Sequence, residues 1–311
     1  MKEWTFDDHF HSRILIDKVT ILKGKPEEWK DCIHYIREAF LNKKVVLREG
    51  NERLNSNDFQ LNIMSYSDSF PLTNISNNEK QLLESFYSYM ELSPIYKQFV
   101  ESWEDLQEEV QFLNDTFGNE IKIQLNDFSK KMMKKNISTE FNHSDRITEF
   151  KQTIKLAKHL NNDKKNLFLL ISPENHFDLR ELEKLDQFLQ AAPEQFIVIT
   201  THPFRGMSNI VFKEKIINHV VLENYRSTIQ EWLPFIFDPD EFDEAKNWYI
   251  DTVDKSDGNL LILSLSSVDK LTAFIYLFLL VHLTHIPYKV DYTGLPDEFI
   301  KFIDTITTGR V

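Results

Sequence analysis

The stretch that decides the fold is Asn166-Leu167-Phe168-Leu169-Leu170-Ile171-Ser172. Its continuous apolar run is typical of a parallel strand that helices cover on both faces. Asp178 and Glu181 then form the capping-box pattern that begins a helix. The next apolar segment, Phe196–Thr200, predicts a second buried strand. Strand, helix and strand at this spacing predict a βαβ unit, so the sequence indicates an α/β fold.

Similar patterns extend outward on both sides of this unit. A strand over Arg13–Leu22 precedes a helix that begins at Pro26. Helical spacing of apolar residues predicts three helices between residues 76 and 160, with narrow seams that favour an extended arm of paired helices over an ordinary helical subdomain. We therefore expect an α/β head from residues 1–75 and 161–225, a helical arm from 76–160, and an additional α/β segment at 226–311. Within that last segment, Leu271–Leu283 is apolar nearly all round, which predicts core or oligomer packing.

Composition excludes several classes of protein. The single cysteine, Cys32, cannot form an intramolecular disulfide or a cysteine-rich zinc site, and it fits a reducing cytoplasm. The polar, acidic N-terminus does not resemble a signal peptide, and the longest apolar run is far shorter than the ~20 residues that span a bilayer. Only 7 glycines are present, and neither GxGxxG nor GxxxxGK[ST] occurs. We therefore expect no membrane partner and no nucleotide-hydrolysing site.

The charge is unevenly distributed. The chain carries 36 Lys+Arg and 49 Asp+Glu, a net charge of −13. Residues 223–311 hold 15 of the acids and 7 of the bases, a net of −8. In contrast, Ile121–Lys135 has five lysines and one acid. Four of these lysines recur at helical spacing and would lie on one edge of a helix: Lys130, Lys131, Lys134 and Lys135. They could contact phosphates without reading bases. A solvated helix face gives the same pattern.

Two further groups could belong to such a surface. Arg48 and Arg53 bracket the turn after a short predicted strand, Val45-Val46-Leu47, and could extend a phosphate-binding patch. An acidic, amide-rich stretch that contains Asp115, Glu120 and Asp127 offers the oxygen ligands that calcium prefers. Its spacing is not that of an EF-hand, so a loop of turn-forming residues is the alternative for the same stretch.

Two other functions use different residues. Pro239-Asp240 followed by Glu244-Ala245-Lys246 imitates the PD…ExK pattern of metal-dependent nucleases. The separation is too short for neighbouring strands of a hairpin, and an acidic helix start is the simpler interpretation. A metal-dependent nuclease, or another DNA-processing enzyme, remains one alternative function. An acidic protein–protein adaptor is the second.

The order of elements resembles the CRISPR-associated Csn-two family of type II-A loci, in its longer form. The similarity covers roughly residues 13–225 and involves no catalytic motif. It rests on these segments: Lys18-Val19-Thr20-Ile21-Leu22 with Trp29, Leu47-Arg48, the helical middle, Ser144-Asp145-Arg146-Ile147 leading through Leu156 and Leu160 to Lys164-Lys165-Asn166-Leu167-Phe168-Leu169-Leu170-Ile171, then Asp178, Leu179, Glu181 and Leu182, and Phe196-Ile197-Val198-Ile199.

The resemblance implies a head that is similar to a P-loop fold without its nucleotide motif, joined to a helical arm. Four chains would form a ring that holds calcium and encircles double-stranded DNA, with a preference for free ends. Lysines lining the hole would contact the DNA. The protein would act in spacer acquisition alongside the integrase pair and the effector nuclease of the locus. Residues 226–311 exceed the short members of the family, so the resemblance implies nothing about that segment.

Overall fold

A computed structural model describes residues 2–6, 13–71, 75–116, 123–128, 145–160, 163–212, 215–255, 260–268 and 270–308. The chain divides into two compact units, of which the first comprises Met1–Thr73 with Asp163–Val311 and the second Asn74–Asn162. The strands are β1 (Lys2–Phe6), β2 (Arg13–Ile16), β3 (Val19–Lys23), β4 (Leu47–Glu49), β5 (Glu52–Arg53), β6 (Phe59–Ser65), β7 (Lys165–Ile171), β8 (Gln195–Thr200), β9 (Met207–Phe212), β10 (Lys215–Asn218), β11 (Leu261–Ser264) and β12 (Tyr288–Asp291). The helices are α1 (Lys30–Arg37), α2 (Ile75–Glu91), α3 (Pro94–Thr116), α4 (Arg146–Leu160), α5 (Leu179–Ala191), α6 (His219–Glu223), α7 (Arg226–Trp232), α8 (Pro239–Lys255), α9 (Leu271–Leu283) and α10 (Asp297–Thr307).

The first unit is built on a six-stranded sheet in the order β10-β9-β3-β8-β7-β6. All neighbours in it are parallel except β9 and β10. The predicted inner strand is confirmed, because residues 167–171 of β7 are fully buried between β6 and β8. The predicted βαβ unit is β7–α5–β8, and its capping box is present between Asp178 and Glu181. The protein is therefore α/β, with mixed parallel and antiparallel sheets.

One face of this sheet is covered by α1 and by a small antiparallel sheet of order β2-β1-β4-β5. Trp29, Ile33, Ile36 and Phe40 are all buried there, as predicted, but α1 begins at Lys30 and not at Pro26, and Phe40 lies in the π-helical segment that follows it. The strand expected over Arg13–Leu22 is wrong, because the chain forms β2 and β3 in different sheets. A local turn separates them: Asp17 N–H donates to Thr20 Oγ1 at 3.0 Å, and that hydroxyl donates to Asp17 O at 3.3 Å.

The C-terminal residues form a second hydrophobic core within the same unit. Helix α9 lies at its centre, with residues 273–281 no more than 1% exposed. The core also takes in Ile210 of β9 and Ile217 of β10, so it continues onto the large sheet. The apolar helix therefore packs in the core of the chain. Helix α8 packs against both α9 and β9, which brings α8 to the large sheet.

The second unit is helical in its described part. Helix α2 packs against α4, and the segment 123–128 packs against α3. Trp103 Nε1 donates to Asn126 O at 3.0 Å, and the ring of Phe128 lies 5.0 Å from that of Phe99. These contacts hold residues 123–128 against α3.

Candidate functional site

Strand β3 is a central strand, and its carboxyl end lies on the side of the sheet where α/β proteins bind their ligands. It lies between β8 and β9, and its carboxyl end leads into Lys23-Gly24-Lys25-Pro26 before α1. Ligands of open α/β sheets bind in the crevice outside the carboxyl ends of such strands. Gly24 has a φ of +121°, which a residue with a Cβ rarely adopts. The turn therefore lies where an open α/β sheet usually binds its ligands.

The protein's own carboxylates hold the donors of this turn. Lys23 is 8% exposed, and its ammonium forms an ion pair with Asp251 of α8. The Lys25 N–H donates to Glu28 Oε2 at 2.8 Å. Pro26 has no N–H to offer. A phosphate at this turn would meet two carboxylates, Asp251 and Glu28, that already accept from its donors.

The carboxyl ends of the neighbouring strands β7 and β8 are also joined through a carboxylate. Glu174, which follows β7, accepts hydrogen bonds from Thr200 Oγ1 at 2.7 Å and from Thr201 N–H at 2.9 Å. The backbone of Ser172 is left-handed, with φ of 51°, which lets the chain turn sharply into the Glu174 segment. These hydrogen bonds therefore link the end of β7 to the end of β8.

The predicted arginines lie together on the small antiparallel sheet. Arg48 and Arg53 are directly opposite each other on β4 and β5, and both are exposed. Arg48 also lies opposite Thr5 of β1, and Thr5 lies opposite Arg13 of β2. Directly opposite residues share one face of a sheet. We call Arg13, Arg48 and Arg53 the arginine row; it crosses three strand spacings, about 14 Å.

Arg13 was not expected from the sequence. The side chain is 66% exposed and lies 3.7 Å from Glu3 Oε1. The alternation in Lys2–Phe6, which buries Trp4 and Phe6, could have indicated β1. The register that aligns Arg13 with Arg48 depends on pairing between distant strands, which no local pattern contains.

The predicted lysines and one predicted calcium ligand, Glu120, lie outside the described residues. Asp115 belongs to α3, but its side chain is also outside what the structure describes. Asp127 is exposed, and its Oδ1 accepts a hydrogen bond from Gln107 Nε2 at 3.0 Å. Calcium needs six to eight oxygen ligands, of which the described side chains of this set supply one carboxylate. Calcium stays a prediction here, with no geometry attached.

Other candidates for chemistry have structural roles. Asp240 and Glu244 both lie on α8, whose first turn is acidic as predicted. Lys246, the third member of the nuclease-like pattern, is buried and pairs with Glu223 and Asp243, each at 2.6 Å. Burial raises the pKa of the Cys32 thiol far above its ordinary value, so the reactive thiolate is disfavoured. Among the described residues, no three His, Cys, Asp or Glu side chains are grouped to hold a metal.

Comparison with known proteins adds no relative. No family model matches the chain, and a search of curated proteins finds no match either. Within the described part of the chain, every helix is too short or too polar to cross a membrane.

Proposed function

We propose that this chain is a non-enzymatic, ring-forming protein of the cytoplasm that binds double-stranded DNA during CRISPR spacer acquisition. Its head would be a P-loop-like sheet that has lost nucleotide chemistry. The observation that supports a head without nucleotide chemistry is the ion pair of Lys23 with Asp251, which occupies the donor of Lys23 in the turn after β3. The resemblance to the Csn-two family supports the rest, including a ring of four chains and action beside the integrase and the effector nuclease.

Two basic groups support contact with the DNA backbone. The four lysines at 130, 131, 134 and 135 supply four positive charges within six residues of sequence. The arginine row adds three exposed side chains on the first unit. Charges of this kind bind phosphates without reading base sequence. Calcium held by Asp115, Glu120 and Asp127 would neutralise acids at a subunit contact and stabilise the ring by mass action.

Mobility shifts test this function directly. Linear duplex should shift in the presence of calcium, and a closed circle should compete less well than a linear duplex of equal length. DNA should remain intact in every lane. Degradation of the duplex would support the nuclease alternative instead. The absence of a shift at low salt would overturn DNA binding and leave the acidic adaptor as the better proposal.

A charge-reversal variant tests the surface. Changing Lys130, Lys131, Lys134 and Lys135 to Glu should abolish the shift, because four phosphate contacts become four repulsions. The matched control changes four exposed lysines elsewhere to Glu, at positions 155, 164, 184 and 301. It has the same net charge and should lose much less affinity. Equal loss in both variants would mean that overall charge, and not this surface, governs binding.

A further inference from the structure

A cavity of about 290 Å³ lies in the first unit beside the β4–β5 hairpin. Its charged lining residues are Lys43 and Arg53, and no acid lines it. Val46 and Leu54 form part of its apolar wall, and Ser56 contributes a hydroxyl. The volume is at the lower end of small-molecule sites, about 300–1,000 Å³, which suits a nucleotide but not an extended polymer.

Both positive charges at the cavity lack an acidic partner within the described residues. The Lys43 ammonium donates to Asn57 Oδ1, which is a neutral acceptor. Arg53 has no hydrogen bond or ion pair with any described residue. An ammonium has three donors and a guanidinium five, so the described residues leave most of this donor capacity unused.

Two nearby acids, Glu38 and Asp58, accept hydrogen bonds from other side chains. Glu38 accepts from Asn42 Nδ2 at 2.7 Å and lies 3.9 Å from the Lys44 ammonium. Asp58 Oδ1 accepts from Asn55 Nδ2 at 2.9 Å. Neither carboxylate lines the cavity, although Asp58 accepts from a residue that does, Asn55, so the charged side chains of the lining itself are both basic.

The hairpin provides a further observation on one of these two side chains. Arg53 lies directly across from Arg48. Like charges at directly opposite positions of an antiparallel pair are destabilising. A bound anion would supply acceptors for the Arg53 guanidinium. The cavity and the arginine pair therefore favour the same kind of ligand.

We propose that this cavity binds a terminal phosphate monoester, with Lys43 and Arg53 as its ligands and the attached sugar and base against the apolar wall. A free nucleotide and the end of a DNA strand both carry this group. Binding of the strand end rests on the proposed DNA-binding function, whereas binding of a nucleotide does not. The site is separate from the carboxyl edge, where carboxylates exclude a phosphate.

Calorimetry with small probes tests the site without DNA. Deoxyadenosine 5′-monophosphate should bind, whereas deoxyadenosine should not, and inorganic phosphate should bind more weakly because it does not use the apolar wall. Changing Lys43 to Gln or Arg53 to Gln should weaken monophosphate binding about tenfold or more, as expected for loss of a charge-assisted hydrogen bond. Lys44→Gln is the matched control, because its ammonium lies near Glu38 and not in the cavity lining.

Blunt duplexes with a 5′-phosphate or a 5′-hydroxyl distinguish the two sources. A preference for the phosphorylated duplex that is lost in Arg53→Gln assigns the site to strand ends. Nucleotide binding without such a preference assigns it to free nucleotides. Equal binding of monophosphate and nucleoside, or unchanged affinity in both cavity variants, would overturn the inference. If duplex binding fails while the monophosphate binds, the proposed DNA function is wrong and the phosphate site stands.

Discussion

At the scale of single residues, the pair of Lys23 and Asp251 is unequal in its burial. The Lys23 side chain is 9% exposed, whereas that of Asp251 is 51% exposed. Removing the carboxylate leaves a buried ammonium without compensation, whereas removing the ammonium leaves a carboxylate that water can solvate. Removal of the carboxylate should therefore lower the stability more than removal of the ammonium.

We expect Asp251→Asn to lower the free energy of unfolding by about 2 kcal/mol, since exposure of the carboxylate reduces the 3–5 kcal/mol of a fully buried pair. Lys23→Met keeps most of the buried volume and should lower it by less. Urea unfolding followed by far-UV circular dichroism measures both. Glu183→Gln, at an exposed position of α5, is the control and should change little. A larger loss in Lys23→Met than in Asp251→Asn would contradict the buried-charge argument.

At the scale of elements, α9 should be the most sensitive helix of the first unit. Leu279 is fully buried among the residues of the C-terminal core. Leu279→Ala should lower the free energy of unfolding by about 3 kcal/mol, through lost transfer energy and the cavity left behind. Leu179→Ala makes the same change at a position that is 71% exposed, and it should have an effect near zero. Comparable losses at the two positions would contradict the burial of α9.

The contact between α9 and β12 predicts a dependence on pH. His282 Nδ1 lies 2.8 Å from the Tyr288 hydroxyl, and burial lowers the pKa of His282 below its ordinary 6.5. The unfolded chain therefore binds a proton more readily than the folded one, and folding is favoured above about pH 6.5. The free energy of unfolding should fall as the pH drops from 6.5 toward the lowered pKa.

Urea titrations between pH 7.5 and pH 5 measure this effect, with the variant His282→Gln. The variant should show a smaller fall in stability over this range, because one proton-linked group is gone. His159→Gln, at an exposed position of α4, should keep the slope of the parent protein. An unchanged slope in His282→Gln would show that the acid sensitivity arises elsewhere, for example at half-buried His219, whose pKa is also lowered by burial.

Sequence patterns predicted single helices and strands far better than they predicted how the strands pair. The apolar strand β7, the capping box of α5 and the all-apolar α9 are local signals, and the structure confirms each of them. The boundary at Asp17 was missed because both flanking segments are apolar, and a single Thr20 hydroxyl turns the chain. Strand β9 was missed because its apolar residues are few and interrupted by Ser208 and Asn209.

The candidate sites show the same division. Arg48 and Arg53 were found because they bracket one turn, whereas Arg13 joins them only through the register of β1 with two partners. Asp251 is 228 residues from Lys23, so its place beside the turn after β3 could not be predicted from local sequence. Long-range pairing, unlike helix periodicity, leaves no signal in a short window.

At the scale of the whole molecule, the proposed ring predicts a mass of about four times the 37.0 kDa chain in calcium. Light scattering measures it, and a chelator should lower the mass if carboxylates at the subunit contact need the ion. Magnesium at equal concentration is the control, because its smaller, octahedral shell suits such a carboxylate set less well. A monomer in every condition would count strongly against the ring.

Salt dependence separates the arginine row from the net charge of −13. Each phosphate that a protein neutralises steepens the plot of log affinity against log salt by about 0.9. Changing Arg13, Arg48 and Arg53 to Gln should therefore make the slope for linear duplex shallower by up to about 2.7 per chain if all three contact phosphates. Fluorescence anisotropy over a range of salt concentrations measures the slope.

The matched control for this variant changes Lys155, Lys184 and Lys301 to Gln, which removes the same charge from exposed positions of three helices. These positions share no strand register with the row, so their loss changes the long-range field without removing an aligned set of contacts. The control should lower affinity slightly at low salt and keep the slope. A slope that stays at the parent value in the arginine variant would remove the small sheet from the DNA-binding surface and leave the lysines as its only candidates.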